Sequence, residues 1–298
     1  MKLISYAGDG SPISFNTMLN SVYIYEFRDG GYLMIKLIAT DMDGTLLNSK
    51  GELPEGFFDT LDELIDRGVI FVAASGRQYY TLADNFGKAK DKMLFAAENG
   101  SFVVHNGKEL FSKTLPKETI MEILKEVSSI PNCFPVVCGK KYGYYKDTNP
   151  KFLKELQKYY YNRKQVDNLE DIEDDFLKVA IFDLEGSSEN SYKKIDKKLK
   201  EELQVTVSGQ NWVDIFRKDI NKGVAINYLQ EKFNITHEET MVFGDYFNDI
   251  QMLQNAYHSY VMVNAPDELK KYGRFMAKSN DDNGVIEVIE REVLKKDA

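Results

Sequence analysis

Residues 34–47 read Met34-Ile35-Lys36-Leu37-Ile38-Ala39-Thr40-Asp41-Met42-Asp43-Gly44-Thr45-Leu46-Leu47. Leu37 to Thr40 runs without polar alternation straight into two aspartates and a glycine. A strand that is apolar on both faces belongs in a sheet covered on both sides. A helix is predicted from Pro54 to Arg67, with Phe57, Leu61, Leu64 and Ile65 on one face. The same kind of strand then recurs: Val69 to Ala74 ends at Ser75-Gly76-Arg77, Met93 to Ala97 at Glu98-Asn99-Gly100, and Thr240 to Phe243 at Gly244-Asp245. Ser259 to Val263 adds one more. Apolar strands alternating with helices predict an α/β fold with a doubly wound, Rossmann-like parallel-sheet core.

The stretch between the early and late strands has a different character. Ile120, Ile123, Leu124 and Val127 mark a helix, Pro135 to Lys146 a hairpin, Pro150 to Arg163 a second helix and Leu177 to Leu184 a strand. A lysine-rich helix, Ser191 to Leu203, and a strand, Gln204 to Ser208, complete an inserted α+β module. The predicted organisation is a core from residues 34–115 and 213–298, with a cap over residues 116–212. The regular pattern starts abruptly at Met34, so residues 1–33 are read as an N-terminal extension from an upstream start; intact-mass analysis of the protein from its native source checks this.

Composition narrows the function. The 298 residues carry 38 Lys and Arg against 47 Asp and Glu, a formal charge of -9, which disfavours a general nucleic-acid binder. No apolar run reaches the ~20 residues that span a bilayer, and no secretory signal is evident, so a cytoplasmic protein is expected. Cys133 and Cys138 are too few for a disulfide framework, and His105, His237 and His258 lack metal-site spacing. The aromatic residues of the module (Tyr142, Tyr144, Tyr145, Tyr159, Tyr160, Tyr161 and Trp212) are read as packing before ring-stacking.

In open α/β sheets ligands bind beyond the carboxyl ends of the strands, and here those ends are rich in polar groups. They carry Asp41 with Asp43, Ser75 with Gly76 and Arg77, Asn99 with Gly100, and Asp245 with Asn248 and Asp249; Lys222-Gly223 opens a further helix. A carboxylate at the end of a buried strand is costly unless a cation or hydrogen bonds hold it. Several together raise one another's pKa, and hard oxygen ligands without histidine select Mg²⁺. The Ser75 hydroxyl, the backbone amides of Met42 and Gly76, the Asn248 amide and the Lys222 charge suit a phosphate. A metal, an anion site and a spare carboxylate point to phosphoryl transfer through an aspartyl-phosphate.

Asp41-Met42-Asp43-Gly44-Thr45-Leu46-Leu47, Ser75-Gly76-Arg77, Lys222-Gly223 and Gly244-Asp245-Tyr246-Phe247-Asn248-Asp249, in that order, resemble the four motifs of the haloacid dehalogenase-like hydrolase superfamily. The module between the second and third motifs resembles the Cof-like branch, mostly Mg²⁺-dependent phosphatases of small phosphorylated metabolites. Glu98-Asn99-Gly100, Val263-Asn264-Ala265 and Ser279-Asn280-Asp281-Asp282-Asn283-Gly284-Val285 add to the match. The resemblance implies that Asp41 attacks phosphorus and that Asp43 protonates the leaving alkoxide, then activates water. It implies metal binding by Asp41, the Asp43 carbonyl and Asp245, with Asp249 orienting the metal waters or Lys222. Ser75, Lys222 and Asn248 would hold the phosphoryl. Expected substrates are sugar phosphates, flavin mononucleotide or pyridoxal phosphate.

Other phosphatase chemistries lack their residues. Positions six beyond the cysteines are Gly139 and Tyr144 rather than arginine, and no Gly-x-x-x-x-Gly-Lys-Ser/Thr loop occurs. Two alternatives stay open: a phosphomutase that uses the same Asp41 intermediate, and a non-catalytic phosphate-ester-binding regulator.

Overall fold

The computed structural model describes residues 34–195 and 197–295; the predicted extension, residues 1–33, lies outside the described residues. The described residues form two compact units, one from the described residues up to Val72 together with those from Ile226 onward, the other from Ala73 to Ala225.

The first unit opens with β1 (Leu37–Thr40), fully buried as its unbroken apolar run requires. A helix over Phe57–Asp66 follows, burying Phe57, Thr60, Leu61 and Leu64 on one face. β2 (Ile70–Ala74) runs on into the second unit, and its Ile70 amide bonds the Lys36 carbonyl at 2.8 Å.

The second unit holds β3 (Leu94–Ala97), β4 (Phe102–His105) and β5 (Lys108–Ser112), joined antiparallel. It also holds a six-stranded sheet of β6 (Cys133–Gly139), β7 (Gly143–Tyr145), β8 (Arg163–Gln165), β9 (Phe176–Asp183), β10 (Leu203–Gly209) and β11 (Trp212–Arg217), in the order β10-β11-β9-β6-β7-β8. Side chains alternate across this sheet. Val179, Ile181, Val213 and Ile215 pack with Ile120, Ile123 and Val127 of the helix Lys117–Ser128, whereas Cys138, Ala180, Phe182 and Trp212 pack with Phe152 and Leu156 of the helix Pro150–Tyr159. Each buried Val, Ile, Leu or Phe side chain among them contributes roughly 1.5–3 kcal/mol by leaving water. Tyr144, Tyr160 and Trp212 are buried here, while Tyr159 and Tyr161 are exposed.

The chain returns to the first unit in β12 (Thr240–Gly244), β13 (His258–Met262) and β14 (Phe275–Ala277). These complete the order β14-β13-β12-β1-β2. The β1–β12, β12–β13 and β13–β14 pairs are parallel, with Leu37 opposite Thr240 and Thr40 opposite Phe243. This is the α/β, parallel-sheet architecture the sequence predicts. Among the described residues no helix is long and apolar enough to cross a membrane.

Three local expectations are corrected. The helix from Ser191 to Leu203 is two short ones, Ser191–Lys194 and Lys197–Glu202, because Ile195 turns to ψ 130 and buries its side chain in the core. The helix starting at Pro150, capped by Asn149 Oδ1 accepting from the Lys151 and Phe152 amides, stops at Tyr159; Tyr160 is extended and Arg163 enters β8. The strand expected over Gln204 to Ser208 runs from Leu203 to Gly209, with β11 as its antiparallel partner.

Candidate active site

In the first unit the ends of β1 and β12 carry the acids. The Asp41 amide bonds the Phe243 carbonyl at 3.0 Å, extending the ladder one step past the strand and placing the Asp41 side chain beside the residues after Gly244. Carboxylate oxygens of Asp41, Asp245 and Asp249 lie within 4.8 Å of one another. Asp41 and Asp249 are buried, Asp245 is half-buried and Asp43 is exposed. Like charges this close in a poorly solvated site repel strongly unless a cation lies between them. Asp249 also closes its own turn: Oδ2 accepts from the Asp245 and Tyr246 amides, both at 3.0 Å. This all-oxygen set fits Mg²⁺.

The loop between Asp41 and Leu47 folds on itself. Leu46 and Leu47 donate to the Asp41 and Met42 carbonyls at 3.3 and 2.8 Å, and Met42 buries its side chain. Two asparagines from far along the chain hold the outside of this loop. Asn264 Nδ2 donates to the Gly44 carbonyl at 2.8 Å, and Asn280 Nδ2 donates to the Leu47 carbonyl at 2.9 Å. A cleft of about 640 Å³ opens beside Asp43, lined also by Asn48, Asn264 and Asn280.

Gly44 has φ +82, and a Cβ built there would sit 2.4 Å from Asp245 Oδ2. The Asp245 side chain is not free to swing away, because its Oδ1 accepts from Thr45 Oγ1 at 2.7 Å. Gly44→Ala is therefore expected to lower kcat about 10–100-fold by displacing Asp245, and to add ~1–3 kcal/mol of strain. Steady-state kinetics and a thermal melt check both halves; unchanged kinetics would refute the close packing.

The second unit holds Ser75, Gly76 and Lys222. Ser75 is buried, and its Oγ accepts from the Arg77 amide at 3.1 Å. The Asn99 amide bonds the Ser75 carbonyl at 2.9 Å, and the Glu98 amide bonds the Arg77 carbonyl at 3.1 Å, so the turns after β2 and β3 are stitched together. Asn99 Oδ1 lies 3.1 Å from where a Cβ on Gly76 would be. Gly100, at φ +92, leaves room for the start of the helix Lys222–Phe233: a Cβ there would meet the Asn221 carbonyl oxygen at 2.5 Å and Lys222 Cα at 3.2 Å. Lys222 itself is fully buried. Asn248 sits exposed on the short helical turn Phe247–Asp249 of the first unit.

Sequence reasoning missed a buried ionic group in the second unit. Lys178 Nζ lies 2.9 Å from Glu98 Oε2 and 3.1 Å from Asp214 Oδ2 and donates to the Gly76 carbonyl at 2.9 Å. Burial alone would pull the Lys178 pKa down, but Asp214 and Glu98 carry it above the ordinary lysine value. Burial pushes Glu98 above the usual carboxylate range despite the opposing ammonium. Its signal was a single lysine inside an otherwise apolar strand. Both cysteines are free, and burial pushes the Cys133 thiol up to about 12 and Cys138 higher still, so neither offers a thiolate nucleophile at neutral pH.

Comparison with known proteins agrees with this arrangement. The sequence pattern of the haloacid dehalogenase-like hydrolases matches residues 38–289. The 5-amino-6-(5-phospho-D-ribitylamino)uracil phosphatase YbjI of Escherichia coli is 34% identical over 272 residues, covering 89% of this chain and 98% of its own. YcsE of Bacillus subtilis, a phosphatase named for the same compound, is 27% identical over 260 residues, covering 87% of this chain and 96% of its own. The solved structure of SMU.1108c from Streptococcus mutans superposes with a TM-score of 0.79 at 34% identity, covering 88% of this chain and all of that one. With its acids at the ends of neighbouring parallel strands and its motifs in family order, the chain belongs to the haloacid dehalogenase-like hydrolases, as a phosphatase of that family.

Proposed function

We propose that this phosphatase hydrolyses small phosphorylated metabolites through an aspartyl-phosphate on Asp41, with Mg²⁺ as cofactor. The observation that carries the reading is the meeting of Asp41, Asp245 and Asp249 within 4.8 Å at the ends of β1 and β12. Mg²⁺ held by these carboxylates, with the Asp43 carbonyl, would neutralise their charge and that of the phosphoryl oxygens.

Asp41 supplies the attacking oxygen: an Asp41 Oδ–P bond forms as the P–O bond to the alcohol breaks, and Asp43 gives its proton to the departing alkoxide. Asp43, now a carboxylate, takes a proton from water as that water attacks phosphorus and frees Asp41. The exposure of Asp43 suits a group that must exchange protons with incoming water. Ser75, the Met42 and Gly76 amides, Lys222 and Asn248 would hold the phosphoryl oxygens. Residues 116–212 would act as the cap that chooses the leaving group. Free, unionised thiols suit a reducing, cytoplasmic setting.

For the substrate we take a phosphorylated sugar or sugar alcohol, with or without an attached ring. Two relatives named for a phosphoribitylamino-uracil support this class, and the polar cleft beside Asp43 suits a hydroxylated chain. The test is phosphate release from a panel of sugar phosphates, ribityl phosphates, flavin mononucleotide and pyridoxal phosphate. Chelation is expected to abolish turnover and added Mg²⁺ to restore it. Turnover that survives chelation would overturn the metal assignment, and isomerised sugar phosphate without release would replace hydrolysis by mutase chemistry.

A further inference from the structure

We propose that Lys178 is a positioning residue that fixes the phosphate-binding turn Ser75-Gly76-Arg77 from the sheet of the inserted module. The inference rests on the reading of Ser75 and Gly76 as phosphate ligands. Lys178 lies in β9 with a side chain only 5% exposed, on the same sheet face as Cys138 and Asp214. A buried ammonium is tolerated only when its protons are bonded and its charge is matched. Lys178 meets that condition with three partners: it donates to the Gly76 carbonyl at 2.9 Å and to Asp214 Oδ2 at 3.1 Å, and its charge is matched by Glu98 Oε2 at 2.9 Å.

Two of those partners belong to the turns after β2 and β3, and the bond to Gly76 reaches the hydroxyl directly. The carbonyl of Gly76 and the amide of Arg77 are the two ends of one planar peptide group. Its oxygen is held by Lys178, and its N–H donates to Ser75 Oγ at 3.1 Å. Fixing the oxygen therefore fixes the plane, and the plane fixes the hydroxyl as an acceptor from Arg77, leaving the hydroxyl proton for a phosphoryl oxygen.

The second partner, Glu98, works through the neighbouring turn. Glu98 and Asn99 take left-handed backbone, φ 51 and φ 56, which persists only where surrounding contacts enforce it. Their amides bond the Arg77 and Ser75 carbonyls, so a shift at Glu98 moves both sides of Gly76. Neither carboxylate oxygen of Glu98 makes a hydrogen bond, so the ion pair with Lys178 is the restraint on that side chain within the described residues. Gln78 and Thr81, just beyond the turn, are tied to the same module through Asn162, Tyr159 and Tyr161. The module thus grips the phosphate turn on both sides, and a displacement of β9 would reach Ser75.

The experiment compares wild type with Lys178→Met and with the triple variant Lys178→Met/Glu98→Gln/Asp214→Asn. The single change strands two buried carboxylates and lowers stability, whereas the triple removes all three charges at nearly constant volume and keeps a folded protein for measurement. Inhibition by inorganic phosphate and by orthovanadate is read beside kcat and KM for p-nitrophenyl phosphate and amide hydrogen exchange by mass spectrometry. The expected result for the folded triple variant is phosphate inhibition weakened about tenfold or more and kcat lowered about 10–100-fold. Exchange should rise at residues 75–77 and 98–100, with β9 and β11 still protected. Wild-type inhibition together with wild-type exchange in the turns would overturn the inference. So would exchange raised along β9 and β11 with kinetic constants unchanged, which marks a purely structural ion cluster. A wild type that neither hydrolyses nor binds phosphate esters would instead refute the catalytic reading, and the exchange pattern would still decide whether Lys178 holds the turn.

Discussion

Asp41→Asn is expected to reduce phosphate release at least ~10³-fold while leaving the fold intact. The amide matches the carboxylate in shape, and the Asp41 main chain is held by its bond to Phe243, which the substitution does not touch. What disappears is the oxygen proposed to attack phosphorus. Without metal, the loss of one negative charge from three crowded within 4.8 Å relieves repulsion, so the metal-free variant should melt no lower than wild type. With Mg²⁺ present the order should reverse, since one ligand charge is gone. Phosphate release with paired melting curves, with and without Mg²⁺, checks this. Activity within tenfold of wild type would remove Asp41 as nucleophile.

For Asp43→Asn the expected loss is smaller, about 10²–10⁴-fold, and depends on the leaving group. An alkoxide leaves poorly without a proton, whereas p-nitrophenolate leaves without help. The variant should lose most of its activity on sugar phosphates at the first step. With p-nitrophenyl phosphate it should release a burst of one equivalent and then stall, because no base remains to activate water. Intact-mass measurement should find the enzyme carrying one phosphoryl group. Equal losses on both substrates with no burst would show that Asp43 is neither the acid nor the base.

Most of the parallel strands were legible because their apolar runs have no alternation, whereas β14, three residues long with two of them exposed, was not predicted. β1 is found over the four residues predicted, and β2, β3, β12 and β13 within a residue or so at each end. The acids that come together were legible too, since strand order brings Asp41 and Asp245 to one rim wherever β1 and β12 are neighbours. The hairpin of β4 and β5 was passed over although Asn106-Gly107, at φ 47 and φ 68, is a strong hairpin signal between apolar strands. Lys178 stood out as a lysine in an apolar strand, but what it bonds was not legible. Its partners Gly76, Glu98 and Asp214 come from three separate segments, and no local spacing announces a contact of that kind. Asn264 and Asn280 stood out only by resemblance, because a side chain that bonds a distant carbonyl leaves no periodic trace.

The bonds that close the loop after β1 also set a schedule for synthesis. Thr45 waits for a partner 200 residues later and Leu47 for one 233 residues later. At ribosomal speeds of about 5–20 residues per second, Asp41 leaves the exit tunnel on the order of tens of seconds before either arrives. In that interval the β1 edge that will receive β12 is an open row of peptide groups on an apolar strand, able to pair with any passing edge. The second unit is made whole within the same interval. A nascent chain therefore completes its second unit before Asp41, Asp245 and Asp249 can meet, so the acidic cluster exists only once Asp249 has been made.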